Sequence, residues 1–383
     1  MGRALIVGAG PAGVTAAQLL MRAGYDVALA EPDADTARRM RDMLAQAGLD
    51  LSVTDGPGDP AGAALTIEAL EDEPEQRAPV LAHLAGRCPA EGLLLSTALS
   101  GLSGRIIGFR LYTPAHLRKL VEIAPGPDAA EVQIAAAFAL AGALGRHAVR
   151  APHDRPSIGT RLMRRLYEAA DTLLIEGAIP HELDEAMVGF GWDIGVYEAQ
   201  DLIGLAIAYA DRKAQAETRD PNRRYIPIQD RMVEEGRLGK AAGVGWYRYP
   251  GGGGAVIDPL VEDLVREEAW FAGVTPRAFT AAELQQRLVL ALIHEGALML
   301  ADGTAVSARD IDTVSLAGLG FPARLGGVMA WADARGAVWV ADALARLAIE
   351  DAAVWTPPDP ILECAADGTR LAEWTADGSD KGD

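Results

Sequence analysis

From Arg3 to about Pro152, short β-branched runs alternate with stretches whose apolar positions recur at helical spacing. "ALIVG", "DVALAE", "LTIEAL", "GLLLST" and "IIGFRLY" read as strands. "VTAAQLLMRAG", "DTARRMRDMLAQAG" and "PDAAEVQIAAAFALAGALG" read as helices, and "HAVRAP" as a closing strand. Strand and helix in alternation imply βαβ units around a mostly parallel sheet. After Asp154 the alternation stops and long helical patterns take over. "TRLMRRLYEAADTLLIEGA" has apolar residues at helical spacing, with Gly177 and Pro180 as stop signals. The glycines at 251–254 mark a loop, "AGVTPRAFTAAE" a connection, and a second helical pattern starts at Glu283.

The two helical patterns resemble each other. "RLYEAADTLLIEGAIPHELDEAM" and "LALIHEGALMLADGTAVSARDIDTV" share an apolar helix, an acid-Gly stop, a short polar loop and a downstream aspartate, Asp184 or Asp312. Duplication of a helical domain accounts for this, and one copy can then bury its apolar face against the other.

The opening carries a more specific signal. "VGAGPAGVTAAQLL" places Gly8, Gly10 and Gly13 after a strand and at the mouth of a helix. The first glycine permits a tight turn, the second lets backbone approach a diphosphate, and the third packs helix on strand. The helix N-terminus then faces the phosphate charge. Glu31 ends the second strand 23 positions after Gly8, placed for a ribose hydroxyl, and an acid there favours NAD over NADP. The candidate cofactor set is Gly8, Gly10, Pro11, Ala12, Gly13, Glu31 and Glu68. FAD is the competing ligand for this opening, but no further flavin motif follows. The expected architecture is an α/β Rossmann domain followed by duplicated all-α domains. Its expected boundaries are 1–153, 154–275 and 276–365, with a flexible tail at 366–383 in which Trp374 docks locally.

At 383 residues, 50% hydrophobic and 23% charged, the chain has the size and composition of a soluble globular protein of two or three domains. A net charge of −19 argues against nucleic acid or an anionic membrane as the main partner. Two isolated cysteines, Cys88 and Cys364, suit neither a disulfide framework nor a cysteine-rich zinc site, and point to a cytoplasmic setting. No leader and no membrane span are expected.

"IEALED" at 67–72, "STALSGLS" at 96–103, "LLIEGAIPHELDEAMVGFGWDIGVYEAQDLIGL", "GRLGKAAGVGWYRY" and "GLGFPARLGGVMAWAD" follow the glycine-rich opening in order. Together they resemble the 3-hydroxyacyl-CoA dehydrogenase family over about residues 3–345, in its long form with two helical repeats and without a hydratase domain. The resemblance implies a catalytic loop Gly-x-His-Phe-Phe-Asn-Pro with a glutamate twelve positions after the histidine. In that scheme the histidine takes the hydroxyl proton and the glutamate fixes its tautomer. This chain reads "GFRLYTP" from Gly108, so Arg110 stands in the histidine's place and Glu122 in the glutamate's. Arginine stays protonated at neutral pH and cannot act as a general base. Two roles are open to Arg110: a bidentate ion pair with Glu122, or stabilisation of developing negative charge on a substrate oxygen that Ser100 and Thr160 hold. The resemblance also places Ser100 at the substrate-contacting serine, Ala98 where an asparagine usually stands, and Thr160 at the asparagine of "PGFIVNR".

His116 reads as a loop histidine with a packing or capping role, and His153 lies near the domain junction. His83, His147, His181 and His294 read as surface or helix positions, and no pair has metal-ligand spacing, so no metal is expected. Lys119 and Arg118 line a phosphate entrance or a solvated loop. Arg161, Arg164 and Arg165 share a helix where they meet CoA phosphates or decorate a surface. Trp192, Tyr197, Trp246 and Trp331 are expected in the core. The resulting reading is an NAD-dependent 3-hydroxyacyl-CoA dehydrogenase-like oxidoreductase with an altered site. Its expected partner is an acyl-CoA or related hydroxy or keto compound, handled by a monomer or homodimer, and any reduction would draw its proton from water or Tyr112. The alternatives are an inactive NAD- or acyl-CoA-binding homologue or scaffold, or an enzyme redirected to another reaction.

Overall fold

The computed structural model describes residues 2–46, 48, 51–70 and 74–376. They fall into two compact units. The first runs to Thr160 and takes in Ala317–Leu319, and the second comprises Arg161–Leu316 and the chain from Gly320 on.

The first unit is built from strands β1 (Arg3–Val7), β2 (Asp26–Glu31), β3 (Val53–Asp55), β4 (Leu65–Glu68), β5 (Leu93–Ser96), β6 (Ile107–Leu111), β7 (Leu120–Pro125) and β8 (His147–Arg150). Its helices are α1 (Pro11–Arg22), α2 (Ala34–Gln46), α3 (Pro74–Arg87) and α4 (Glu131–Ala143). The sheet order is β3-β2-β1-β4-β5-β6-β7-β8. Pairing is parallel throughout except between β6 and β7. Two apolar layers cover it: Ala16, Leu20, Ala37 and Ile134 pack with Ile6, Leu29 and Ile107, while Leu81 and Leu84 of α3 pack with Leu5, Val7 and Leu94. Strands buried on both faces explain the near-continuous apolar runs of the sequence.

Two strands and a helix are additions to the sequence reading. β3 is a three-residue edge, α3 forms despite Pro79 within it, and β7 turns back antiparallel on β6. In that pairing Arg110 faces Glu122 directly.

The second unit is helical and duplicated. Helix α5 (Ile158–Ile175) leads into its first repeat, which continues with α6 (Pro180–Phe190), α7 (Val196–Ile203), α8 (Leu205–Ala214), α9 (Ile228–Glu234), a small hairpin β9 (Tyr247–Arg248) and β10 (Val256–Ile257), and α10 (Pro259–Phe271). The second repeat has α11 (Ala281–Ala301), α12 (Ala308–Ala317), α13 (Val328–Arg335), α14 (Ala337–Ala348), α15 (Ala352–Trp355) and α16 (Asp359–Asp367). Thr280 and Glu283 form a capping box that starts α11.

The same device holds each repeat. Asp184 accepts the N–H groups of Tyr197 and Glu198 at 2.9 Å each, and so caps α7. Asp312 accepts those of Met329 at 2.7 Å and Ala330 at 3.2 Å, and so caps α13. A glycine precedes each capped helix because a Cβ would land on the aspartate, at 2.2 Å for Gly195 and 2.3 Å for Gly327. One turn further on, Asp201 receives the N–H groups of Trp246 and Tyr247, and Asp333 those of Leu371 and Ala372. Leu371–Ala372 is therefore the second-repeat counterpart of Trp246–Tyr247.

This corrects the expected tail. Residues 366–374 complete the second repeat, with Leu371 buried and the Trp374 indole donating to Glu363. The rest of the expected tail, from 377, lies outside the described residues. As expected, Trp192, Tyr197, Trp246 and Trp331 are buried. Trp192 meets Phe321 edge-on at 5.1 Å and Phe190 meets Trp331 at 6.2 Å, so aromatic rings join the repeats.

A buried carboxyl in the first repeat makes a test of packing. Asp171 on α5 accepts hydrogen bonds from the Gln229 amide at 2.6 Å and the Tyr197 hydroxyl at 3.2 Å. Burial pushes its carboxyl up to about 7, against the pull of the Arg212 guanidinium. In an unfolded chain an aspartate titrates near about 3.9. Between those values the folded state binds more protons than the unfolded one, so this carboxyl's contribution to stability falls as pH rises. Asp171→Asn is expected to gain on the parent by about 1 kcal/mol per pH unit between about pH 4.5 and 6.5. Urea unfolding across that range measures the difference, and a constant gap would contradict the assignment.

Candidate active site

The glycine-rich turn between β1 and α1 has the form a diphosphate needs. Gly8 has φ +113°, and a Cβ on it would lie 2.5 Å from the Ala69 carbonyl oxygen. A Cβ on Gly13 would lie 1.9 Å from the Gly8 oxygen, so only glycine lets α1 approach the turn this closely. Helix α1 starts at Pro11 with Gly10 as its cap residue and no side-chain cap. Glu31 is buried at the end of β2, where one oxygen accepts Ala9 N–H at 2.7 Å and the other accepts Asp33 N–H at 3.1 Å. A carboxylate has about four acceptor positions, so the one that braces the turn can still accept ribose hydroxyls. These residues fit a dinucleotide.

Glu68 is placed differently. It is fully buried at the end of β4, accepting Leu70 N–H at 2.7 Å and the Ser96 hydroxyl, with Arg77 Nε at 3.4 Å. The Ser96 oxygen in turn accepts Ala98 N–H at 3.1 Å. Glu68 thus ties the ends of β4 and β5 together.

The stretch that resembles the family's catalytic loop lies on β6 and β7. Glu122 is 0% exposed. It accepts the Tyr112 hydroxyl at 2.7 Å, the Ser157 hydroxyl at 2.7 Å and the Gly159 N–H at 3.0 Å. Arg110 Nη1 donates to the Thr160 hydroxyl oxygen at 3.0 Å. The Ser157 and Thr160 oxygens are 3.1 Å apart. Since Ser157 donates to the carboxylate, Thr160 donates to Ser157, giving a directed chain from Arg110 through Thr160 and Ser157 to Glu122.

Of the two roles open to Arg110, the ion pair with Glu122 is therefore not formed. The two residues face each other across the strand pair but are joined through two hydroxyls. Gly159 makes the arrangement possible, because a Cβ there would fall 1.8 Å from the Tyr112 oxygen.

The Tyr112 hydroxyl is committed to Glu122 and holds its proton tightly. Burial, and then the neighbouring Glu122 charge, push its phenol well above the usual tyrosine range, while Arg110 pulls it down more weakly. Ser157 and Tyr112 are the residues that reading the sequence missed as partners of Glu122. The hydroxyl in the second position of the family's Phe-Phe pair was the available signal for Tyr112.

Ser100 is exposed on the loop after β5, and among the described residues no hydrogen bond joins it to the Arg110 cluster. His116 is exposed, on a loop whose Ala115 and Arg118 carbonyls both accept from Arg146 Nη1. Arg161, Arg164 and Arg165 neither decorate a surface nor stand free for phosphate. Arg161 pairs with Glu295 at 2.6 Å and with Asp302; Arg164 binds Asp211 through two nitrogens; Arg165 meets Glu168 at 3.1 Å and lies over the Trp355 ring.

Residues 3–155 match the description "3-hydroxyacyl-CoA dehydrogenase, NAD binding domain", and residues 158–249 match "3-hydroxyacyl-CoA dehydrogenase, C-terminal domain". The chain belongs to the 3-hydroxyacyl-CoA dehydrogenase family. It is 34% identical to the peroxisomal bifunctional enzyme of Danio rerio over 292 residues, which are 70% of this chain and 41% of that protein. The Homo sapiens protein of the same name is 30% identical over 339 residues, 82% of this chain and 47% of that protein. The chain thus spans less than half the length of these relatives.

Among solved structures, 3-hydroxybutyryl-CoA dehydrogenase from Escherichia coli shares the fold with a TM-score of 0.75 at 21% identity, over 95% of this chain and 98% of that one. The dehydrogenase part of a C. elegans multifunctional enzyme does so with a TM-score of 0.69 at 20% identity, over 95% and 89%. The C-terminal match ends at Tyr249, and the paired aspartate caps recur beyond it at Asp312 and Asp333. Among the described residues no helix is long and apolar enough to cross a membrane.

Proposed function

We propose that the chain is an NAD-dependent oxidoreductase of the 3-hydroxyacyl-CoA dehydrogenase type whose proton-carrying histidine is replaced by Arg110. The observation that carries this is the pairing of Arg110 with Thr160, while Glu122 is closed by Tyr112, Ser157 and Gly159. Gly8, Gly10, Pro11, Ala12 and Gly13 hold the diphosphate, Glu31 holds the ribose, and Glu68 braces the strand ends beside them. NAD held there would supply the hydride acceptor, or as NADH the hydride donor, for the reaction. Arg110 stabilises negative charge on the substrate oxygen. Thr160 accepts from Arg110 and fixes its plane, and Ser100 is assigned to substrate contact on its motif. The substrate is an acyl-CoA or a related hydroxy or keto compound. We place the protein in the cytoplasm, where the free, buried Cys88 and Cys364 stay reduced, as a monomer or homodimer.

A second reading, a non-catalytic NAD- or acyl-CoA-binding homologue or scaffold, is favoured by the same closure of Glu122. Calorimetry and an absorbance assay separate the two. NADH is expected to bind at least about tenfold tighter than NADPH, because Glu31 repels a 2′-phosphate, and Glu31→Ala is expected to erase the preference. Slow oxidation of NADH by acetoacetyl-CoA supports the enzyme; binding without turnover supports the second reading. Failure of NADH to bind would sink the enzyme and the NAD-binding form of the second reading, leaving an acyl-CoA-binding homologue or scaffold.

A further inference from the structure

Arg110 is a cation without a counter-ion. Among the described residues its guanidinium makes one hydrogen bond, from Nη1 to Thr160, and no ion pair. Arg161, Arg164 and Arg165 each meet a carboxylate, whereas the carboxylate that Arg110 faces across the strand pair is already filled. The chain carries a net charge of −19, yet the carboxylate across the strand pair is spent on three other donors. Thr160 is neutral and takes one nitrogen, which leaves Nε and Nη2 with their hydrogens for a second partner. A half-buried guanidinium has given up part of its hydration, and its fork matches the two oxygens of a planar oxyanion.

Resting on the assignment of this loop as the substrate-facing one, we propose that Arg110 is the receptor for an oxyanion that the substrate carries in its ground state. That oxyanion is the carboxylate of a 3-oxo or 3-hydroxy acid, or the enolate that a 3-oxoacyl thioester forms when C2 gives its proton to bulk water. A neutral carbinol, which a histidine would serve by taking its proton, gains little from a fixed cation. An enolate or carboxylate gains two charge-assisted hydrogen bonds. Thr160 acts as a positioning residue, because its hydroxyl holds the guanidinium plane.

The test is calorimetric titration with acetoacetate and with its neutral analogue methyl acetoacetate, with and without saturating NADH. Acetoacetate is expected to bind at least about tenfold tighter than the ester, and Arg110→Gln to remove the difference while NADH affinity stays unchanged. Arg110→Lys is expected to keep part of it, since an ammonium supplies charge without the fork. Acetoacetyl-CoA distinguishes the two sources, because its reacting half can offer only an enolate. Growth of the enolate ultraviolet band with wild type but not with Arg110→Gln assigns the enolate. Discrimination of acetoacetate without that band assigns the carboxylate. Equal binding of acid and ester with no enolate band, or responses unaltered in Arg110→Gln, would overturn the proposal. If discrimination persists while NADH does not bind, the NAD-dependent reading fails and the oxyanion receptor stands.

Discussion

Glu122→Ala is expected to destabilise the nucleotide-binding unit by about 4 kcal/mol, since three donors lose their acceptor at once and each orphaned buried donor costs about 1–3 kcal/mol. Those donors are the Tyr112 and Ser157 hydroxyls and the Gly159 N–H. That loss is a large share of the roughly 5–15 kcal/mol that holds a domain folded. Glu122→Gln keeps one acceptor oxygen and should lose about half as much. The midpoint of urea unfolding reads both. An unshifted midpoint in the alanine variant would mean that the carboxylate does not anchor the start of α5. In a site built around a histidine, the glutamate would serve the imidazole. Here it fastens Ser157 and Gly159 to the loop, so its removal should be felt first as lost stability.

The parts of the fold that were legible in the sequence are those set by local periodicity and by glycines with a steric task. β1, α1 and β2 follow from "ALIVGAGPAGVTAAQLL" and "DVALAE", and the duplication from the shared acid-Gly stop and downstream aspartate. What failed needed partners distant in sequence. "LVEIAP" forms β7, but Glu122 interrupts its apolar run, and only the antiparallel pairing with β6 makes it a strand. Helix α3 was masked by a charge-rich start and by Pro79.

Arg161, Arg164 and Arg165 looked like a free basic face because their carboxylates, Glu295, Asp302 and Asp211, lie far along the chain; Glu168, within the same helix, was the only nearby clue. The last segment looked like a polar tail because Leu371–Ala372 replaces the aromatic pair Trp246–Tyr247 of the first repeat. Its role shows only in the hydrogen bonds to Asp333. In the site, the motif positions located Arg110, Glu122 and Thr160. The sequence had suggested a direct ion pair, but two hydroxyls in a row, on Thr160 and Ser157, separate the charges.

The second large effect is on turnover. A positioned general base contributes typically about 10²–10⁴-fold to rate. Wild type lacks one at position 110, and the Tyr112 hydroxyl occupies an oxygen of Glu122 that an imidazole would need. Arg110→His alone would compete with that hydroxyl, whereas Arg110→His combined with Tyr112→Phe frees one of the two acceptor positions that this oxygen now gives to Tyr112 and Ser157. The most direct test of this account is therefore NADH oxidation by acetoacetyl-CoA in wild type and in the double variant, with NADH affinity measured alongside to show that both bind the cofactor equally. The double variant is expected to turn over about 100-fold faster or more. Wild type matching or exceeding it at equal cofactor affinity would contradict the claim that the proton carrier of this family has been lost.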